Sequence, residues 1–281
     1  MEAVDFASNS EEEDLTAVVS GWASANPSDA IKFMDELPEG MVGKRDQIAT
    51  SIAAGLADLD TEMATDFVFR MAETGEANPR RLMEIVAEKT LRLGSISEAA
   101  TWSSLLPDGD LKGAAMNRVA QSYARKNPEK AARWVEDFAD KDYAAGAIER
   151  IGNNWGRIDP TAAVDWLEEL PEGRGAVVGL RSVYGDWEDK DPIAASERLL
   201  TMPQSEKRDF AISGFSRGYA WQDPSAAITW AQDISDPALR QETLTQAGRA
   251  FYRRQPEEAR TWLETSGLPE ESIRQILENR R

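Results

Sequence analysis

The chain has 281 residues, with 50 acidic against 32 basic side chains, a net charge of −18, 41% hydrophobic residues and neither cysteine nor histidine. The carboxylate excess disfavours nucleic acid and anionic membrane surfaces as general partners, because both need a cationic footprint. The two missing residue types exclude disulfides, thiol nucleophiles, the usual zinc sites, Ser–His triads and imidazole acid–base chemistry.

Residues 1–14 are acidic and lack the apolar run of a signal peptide, so they read as a loose acidic tail. Residues 15–281 read as a single α-solenoid repeat domain with a capping helix at each end. The first helix is expected over about Leu15 to Ala25, with Val18 and Trp22 facing inward. A first copy of the repeat follows from Pro27 to Leu37 and then Lys44 to Leu59. A second, less regular copy starts at Thr61, has a longer link over 73–79, and continues from Arg80 to Leu93. The third starts at Ile96. From there prolines stand at 128, 160, 192, 224 and 256, four steps of 32 residues each. The eighth copy runs one residue long at Ser266-Gly267-Leu268-Pro269, and 269–281 predicts a short capping helix whose dipole suits Arg280 and Arg281.

Offsets from each starting residue define the unit. Asp or Asn precedes the proline in most copies, a pattern for helix initiation. Three residues on stand Ala131, Ala163, Ala195, Ala227 and Ala259; six on stand Trp134, Trp166, Arg198, Trp230 and Trp262. With +7 and +10 these trace one helical face, and Pro171 with Gly173 ends that helix in the fifth copy. A second helix occupies about −17 to −3. Its apolar face is −12, −9 and −5, as in Leu180, Val183 and Trp187. Small residues recur at −8 (Ala120, Gly152, Ser216, Gly248), where close helix–helix approach is expected. A fixed period of this length is the signature of a solenoid, in which each hairpin buries its apolar face only against its neighbours. The predicted fold is all-α, a right-handed α/α superhelix of about eight helix-turn-helix repeats.

With its paired helices, a Trp and small Ala residues in each pair and Pro between pairs, the chain resembles the tetratricopeptide-like class of paired-helix repeats. The resemblance covers most of the chain and implies a partner-binding groove, without assigning any residue to it.

Eight of the nine tryptophans hold repeated aromatic offsets and are expected in the core; Trp221, at −3, is the exception. Carboxylates recur at +8 and +9 (Asp35/Glu36, Glu136/Asp137, Glu168/Glu169, Asp233), at the helix end where the dipole prefers cations. They read as a solvated acidic ridge or as a docking ridge for a basic partner. On the second helices, exposed offsets gather donors: Arg118, Gln121, Arg150, Asn153, Asn154, Arg157, Arg217 and Arg249. This stripe, interrupted at Ser182, Gly185, Asp186 and Asp189, is the expected partner-binding surface, lining the concave face. The alternative is that it pairs with neighbouring acidic helices and holds the array together. Guanidinium forks suit carboxylates, so the expected partner is a protein or peptide that is acidic or carries a free carboxylate. Asp108-Gly109-Asp110 lacks the rest of a calcium loop, and no metal, cofactor or catalytic residue is expected. The expected function is a non-catalytic binding scaffold of bacterial type. The alternative is an all-helical carbohydrate-processing enzyme using Asp and Glu. No stretch is long and apolar enough for a membrane span. A cytoplasmic location is expected, with a periplasmic or secreted one left open if a signal segment has been removed.

Overall fold

The computed structural model describes residues 12–75 and 77–278. Among them stand seventeen α-helices and no strand. Most of the expected tail, residues 1–11, lies outside the described residues, as do Arg280 and Arg281. Packing divides the chain into two units, 1–122 and 123–281.

The first unit contains α1 (Glu12–Ala25), α2 (Pro27–Asp35), α3 (Arg45–Leu59), α4 (Thr61–Thr74), α5 (Pro79–Leu93), α6 (Ile96–Leu105) and most of α7 (Asp110–Lys126), within which the division falls. The second contains α8 (Pro128–Val135), α9 (Ala145–Gly156), α10 (Pro160–Glu169), α11 (Arg174–Lys190), α12 (Pro192–Thr201), α13 (Glu206–Tyr219), α14 (Pro224–Gln232), α15 (Pro237–Arg254), α16 (Pro256–Thr265) and α17 (Glu270–Glu278). Even-numbered helices up to α16 are the first helices of the repeats. Odd-numbered ones, α1 and α17 included, are second helices. The first helix begins at Glu12, three residues ahead of the expected start.

The predicted start signals operate as side-chain caps. Asp159 accepts from the Ala162 amide, Asp191 from Ala194 and Asp223 from Ala226, each at 3.0 Å; Asn127 accepts from Lys130 at 2.8 Å. Each such cap contributes about 1 kcal/mol. Without a proline, α6 uses a capping box, Ser95 and Glu98 each bonding the other's backbone amide.

Within each unit the second helices pack against one another in order: α1, α3 and α5 in the first; α9, α11, α13, α15 and α17 in the second. The first helices touch each other far less, so each stack is tight on the second-helix side and splayed on the other. Two glycines allow the tight side. A Cβ on Gly55 of α3 would fall 2.1 Å from the Ser20 carbonyl oxygen of α1, and one on Gly214 of α13 equally close to that of Arg181 in α11. Those positions are −6 and −10, not the −8 expected from the sequence. The −8 residues do something else: they leave room for the first helix that follows them in the chain. Gly152 lies under Leu167 and Gly248 under Trp262.

The tryptophans are also placed differently from expectation. Trp166 and Trp187 are buried, but Trp22, Trp102, Trp134, Trp155, Trp230 and Trp262 are half-buried roofs over their hairpins. Most pair with an aromatic of the other helix, as Trp155 with Trp166 at 5.9 Å and Phe251 with Trp262 at 6.1 Å between centroids.

Candidate functional site

The acidic ends of the first helices are largely committed to structure. On the splayed side, long side chains bridge from one repeat to the next. Arg70 reaches Asp35 at 3.3 Å, the Trp166 indole donates to Glu136 at 3.2 Å, and Arg198 reaches both Asp165 (2.7 Å) and Glu168 (2.9 Å). Arg208 pairs with Asp233. Buried Lys207 donates to the Glu168 and Leu170 carbonyls, placing a cation at the end of α10 where the dipole calls for one. Burial nevertheless raises the Glu168 pKa, against the pull of Arg198.

The sixth copy breaks the repeat, and this is where chemistry gathers. Its +6 Trp is Arg198, turned outward to those carboxylates. Its −8 position, small in most other copies, is Tyr184, fully buried, with its ring 5.5 Å from Trp187 and its hydroxyl 3.6 Å from the Met202 sulfur. At Gly248 the −8 position lies under the +6 indole of Trp262; here the −8 side chain is itself the large aromatic and the +6 indole is gone. Both departures are legible in the sequence once offsets +6 and −8 are read as one pair.

The second-helix stripe falls partly in each unit. Arg118 and Gln121 belong to the first, where Arg118 donates to Gln121 at 3.0 Å and lies 3.5 Å from Glu88. The other six belong to the second. Asn153 donates to Ser182 (3.0 Å) and Asp186 (3.1 Å), and Arg157 reaches the same Asp186 oxygen at 3.4 Å. Asn154 donates to the backbone oxygen of Arg150, and Arg249 to Gln275 at 3.0 Å. Asn153, Arg157 and Arg249 thus tie consecutive second helices together, while Asn154 bonds within α9.

Arg217 on α13 differs. Among the described residues its guanidinium has no hydrogen-bond or ion-pair partner within reach. It lies over Gly185, the gap in the stripe: a Cβ there would sit 3.4 Å from its Nη2. Arg217 is exposed, yet partial desolvation of its guanidinium lowers the pKa first, then the nearby Arg181, while Glu242, Asp186 and Glu149 oppose the shift. Arg181 reaches past α13 to Glu242 of α15 at 3.3 Å, a span the close Gly214 contact permits. Arg181 is thus ion-paired, while the exposed Arg217 beside Gly185 is open.

Beside them is a cavity of about 520 Å³ lined by Arg157, Gly185, Asp186, Glu188, Asp189 and Trp221 among others. Glu188 is only 4% exposed and accepts from Gln222 at 3.1 Å. Burial pushes its carboxyl up to about 7, helped by Asp189 and Asp186. Trp221 is 55% exposed, with Arg253 stacked 5.7 Å from its ring centre. Sequence reasoning passed over Glu188 because nothing in its spacing marks burial.

Among the described residues, no helix is long and apolar enough to cross a membrane. Comparisons with protein-family models, curated proteins and solved structures give no match.

Proposed function

We propose that the chain is a non-catalytic, polypeptide-binding scaffold, and that the second-helix face of its second unit takes a partner bearing a carboxylate. The observation that carries the reading is Arg217, an exposed guanidinium without an acceptor among the described residues, near Arg181 and above the space at Gly185. Arg217 is exposed and feels the like charge of Arg181, and a docked carboxylate relieves that repulsion while taking two-point hydrogen bonds from the guanidinium. Asn153, Arg157 and Arg249 hold the second helices in register so that this guanidinium is presented. The stacked paired helices support the tetratricopeptide-like comparison at the level of architecture, and with it the role of a binding surface.

The test is an array of short peptides rich in Asp and Glu, displayed with free or amidated C-termini. The intact chain should retain a subset of them, and Arg217→Glu should lose at least about tenfold in affinity. Arg80→Glu, at an exposed pair in the first unit, should bind like the parent. Equal binding by the parent and Arg217→Glu would overturn the assignment.

A second reading rests on Glu188, whose carboxyl titrates near 7 beside a cavity with an exposed indole. Such a group suits proton transfer to a bound sugar. Hydrolysis of chromogenic glycosides by the parent but not by Glu188→Gln would put a carbohydrate-processing enzyme in place of the scaffold.

A further inference from the structure

The splayed side of the first unit holds a second surface, independent of the Arg217 face. Between α4 and α6 lies a cavity of about 810 Å³ lined by Glu62, Asp66, Phe69, Trp102 and Leu105 among others. Three other gaps between successive first helices are bridged by long side chains: Arg70 to Asp35, Trp166 to Glu136, Arg198 to Asp165 and Glu168. Here the bridge is at the floor, where the Trp102 indole donates to Thr65 at 3.2 Å. Above it the cleft is open.

Its walls have a definite chemistry. Phe69 and Trp102 are half-buried, and Leu105 stands 80% exposed at the rim. Glu62 and Asp66 are exposed on the opposite wall, and among the described residues neither has a hydrogen-bond or ion-pair partner. Glu98 completes the charge, held ionised by the Ser95 backbone and hydroxyl. Lining residues recur on α4 at 62, 65, 66 and 69 and on α6 at 98, 101, 102 and 105, so each helix offers one face over two turns. Two turns are about 10 Å, enough for the anchor side chains of a short helix laid in a groove.

We propose that this cleft docks an amphipathic helix of a partner protein. An apolar side chain would seat on Phe69, Trp102 and Leu105, with Lys or Arg side chains reaching Glu62 and Asp66. Charge selects this occupant. An acidic helix would meet three carboxylates, and a second copy of a chain carrying −18 would meet its own repulsion.

Because the chain has no cysteine, Thr101→Cys gives a single labelling position in the cleft for an environment-sensitive dye. The probe is a synthetic helix-forming peptide of about four turns, with Leu at i, i+3, i+4 and i+7 flanked by Lys. A version with Glu for Lys is the control. The labelled protein should respond saturably to the Lys peptide and not to the Glu peptide. Leu105→Asp and Asp66→Lys should each weaken binding about tenfold. Glu257→Lys in the second unit and Arg217→Glu should leave it within about twofold, which separates this surface from the one proposed above. Circular dichroism would confirm that Leu105→Asp, a change at an exposed side chain, keeps the helical content. Equal weakening by Glu257→Lys and Asp66→Lys would reduce the effect to diffuse charge attraction. Indifference to Leu105→Asp, a response to the Glu peptide, or a dye signal set by protein concentration alone would each overturn the proposal.

Discussion

Tyr184 and Arg198 show how a repeat changes two residues and keeps its packing. A large buried ring stands at −8 where most copies have a small residue, and the +6 position, without its indole, becomes a cation that holds two carboxylates. The pair should therefore be strongly non-additive. Tyr184→Ala alone should cost about 3–5 kcal/mol, the range for emptying a large buried aromatic. Arg198→Trp alone should also destabilise, by crowding and by leaving Glu168 unpaired. In the double variant the indole turns into the space vacated by the phenol, so denaturant titration should show a total cost at least about 1 kcal/mol below the sum of the two. Strict additivity would mean that the two sites do not share one space. Glu188 gives a pH signature at the same scale. Its folded pKa lies above the ordinary 4.5, so the folded protein holds a proton that the unfolded chain releases. Its contribution is fully present below pH 4.5 and is lost as pH rises to about 7. Glu188→Gln keeps the acceptor for Gln222 and should remove that fall, leaving the variant more stable at pH 8 by on the order of 1 kcal/mol. Melting curves at pH 5 and pH 8 that move in parallel for parent and variant would contradict it.

Among the elements, the helices and their starts were the most legible part of the sequence. Asp or Asn before Pro at a steady period names both the cap and the first turn, and Asp159, Asp191 and Asp223 perform as written. Local signals of this kind need only a few neighbouring residues. What the −8 glycines face was not legible, because it depends on which neighbouring helix comes closest. Gly152 and Gly248 face the first helix that follows them, while Gly55 and Gly214 face the second helix of the preceding repeat. The acidic helix ends were legible as a recurring cost, but their compensation by Arg70, Trp166 and Arg198 lies about thirty residues further on and appears only when the repeats are stacked. Of the stripe, the donors could be read off the offsets; that Arg217 stays open while Asn153 and Arg157 are taken by Asp186 could not. Trp166→Ala tests the element scale. It empties a buried site, 7% exposed, and unhooks Glu136, for a cost of about 3–5 kcal/mol. Because repeats couple mainly to their neighbours, hydrogen exchange should rise first in α8 to α11. Uniform loss of protection across all helices would contradict local coupling.

For the molecule as a whole, the charge of −18 acts against the carboxylate partner proposed for the Arg217 face, and this opposition is measurable. The global field repels an acidic peptide at long range, whereas the Arg181–Arg217 pair attracts it only on contact. Salt screens both terms, with a Debye length of about 10 Å at 0.1 M. It should therefore speed association by weakening the repulsion and speed dissociation by weakening the contact. The most direct test of the central claim is stopped-flow binding of an acidic peptide with a free C-terminus, taken from the array, to the parent chain and to Arg217→Glu across a salt series. The account predicts that association quickens with salt for both proteins, and that at low salt the peptide leaves Arg217→Glu at least about tenfold faster than the parent. Equal dissociation rates for the two proteins would contradict it.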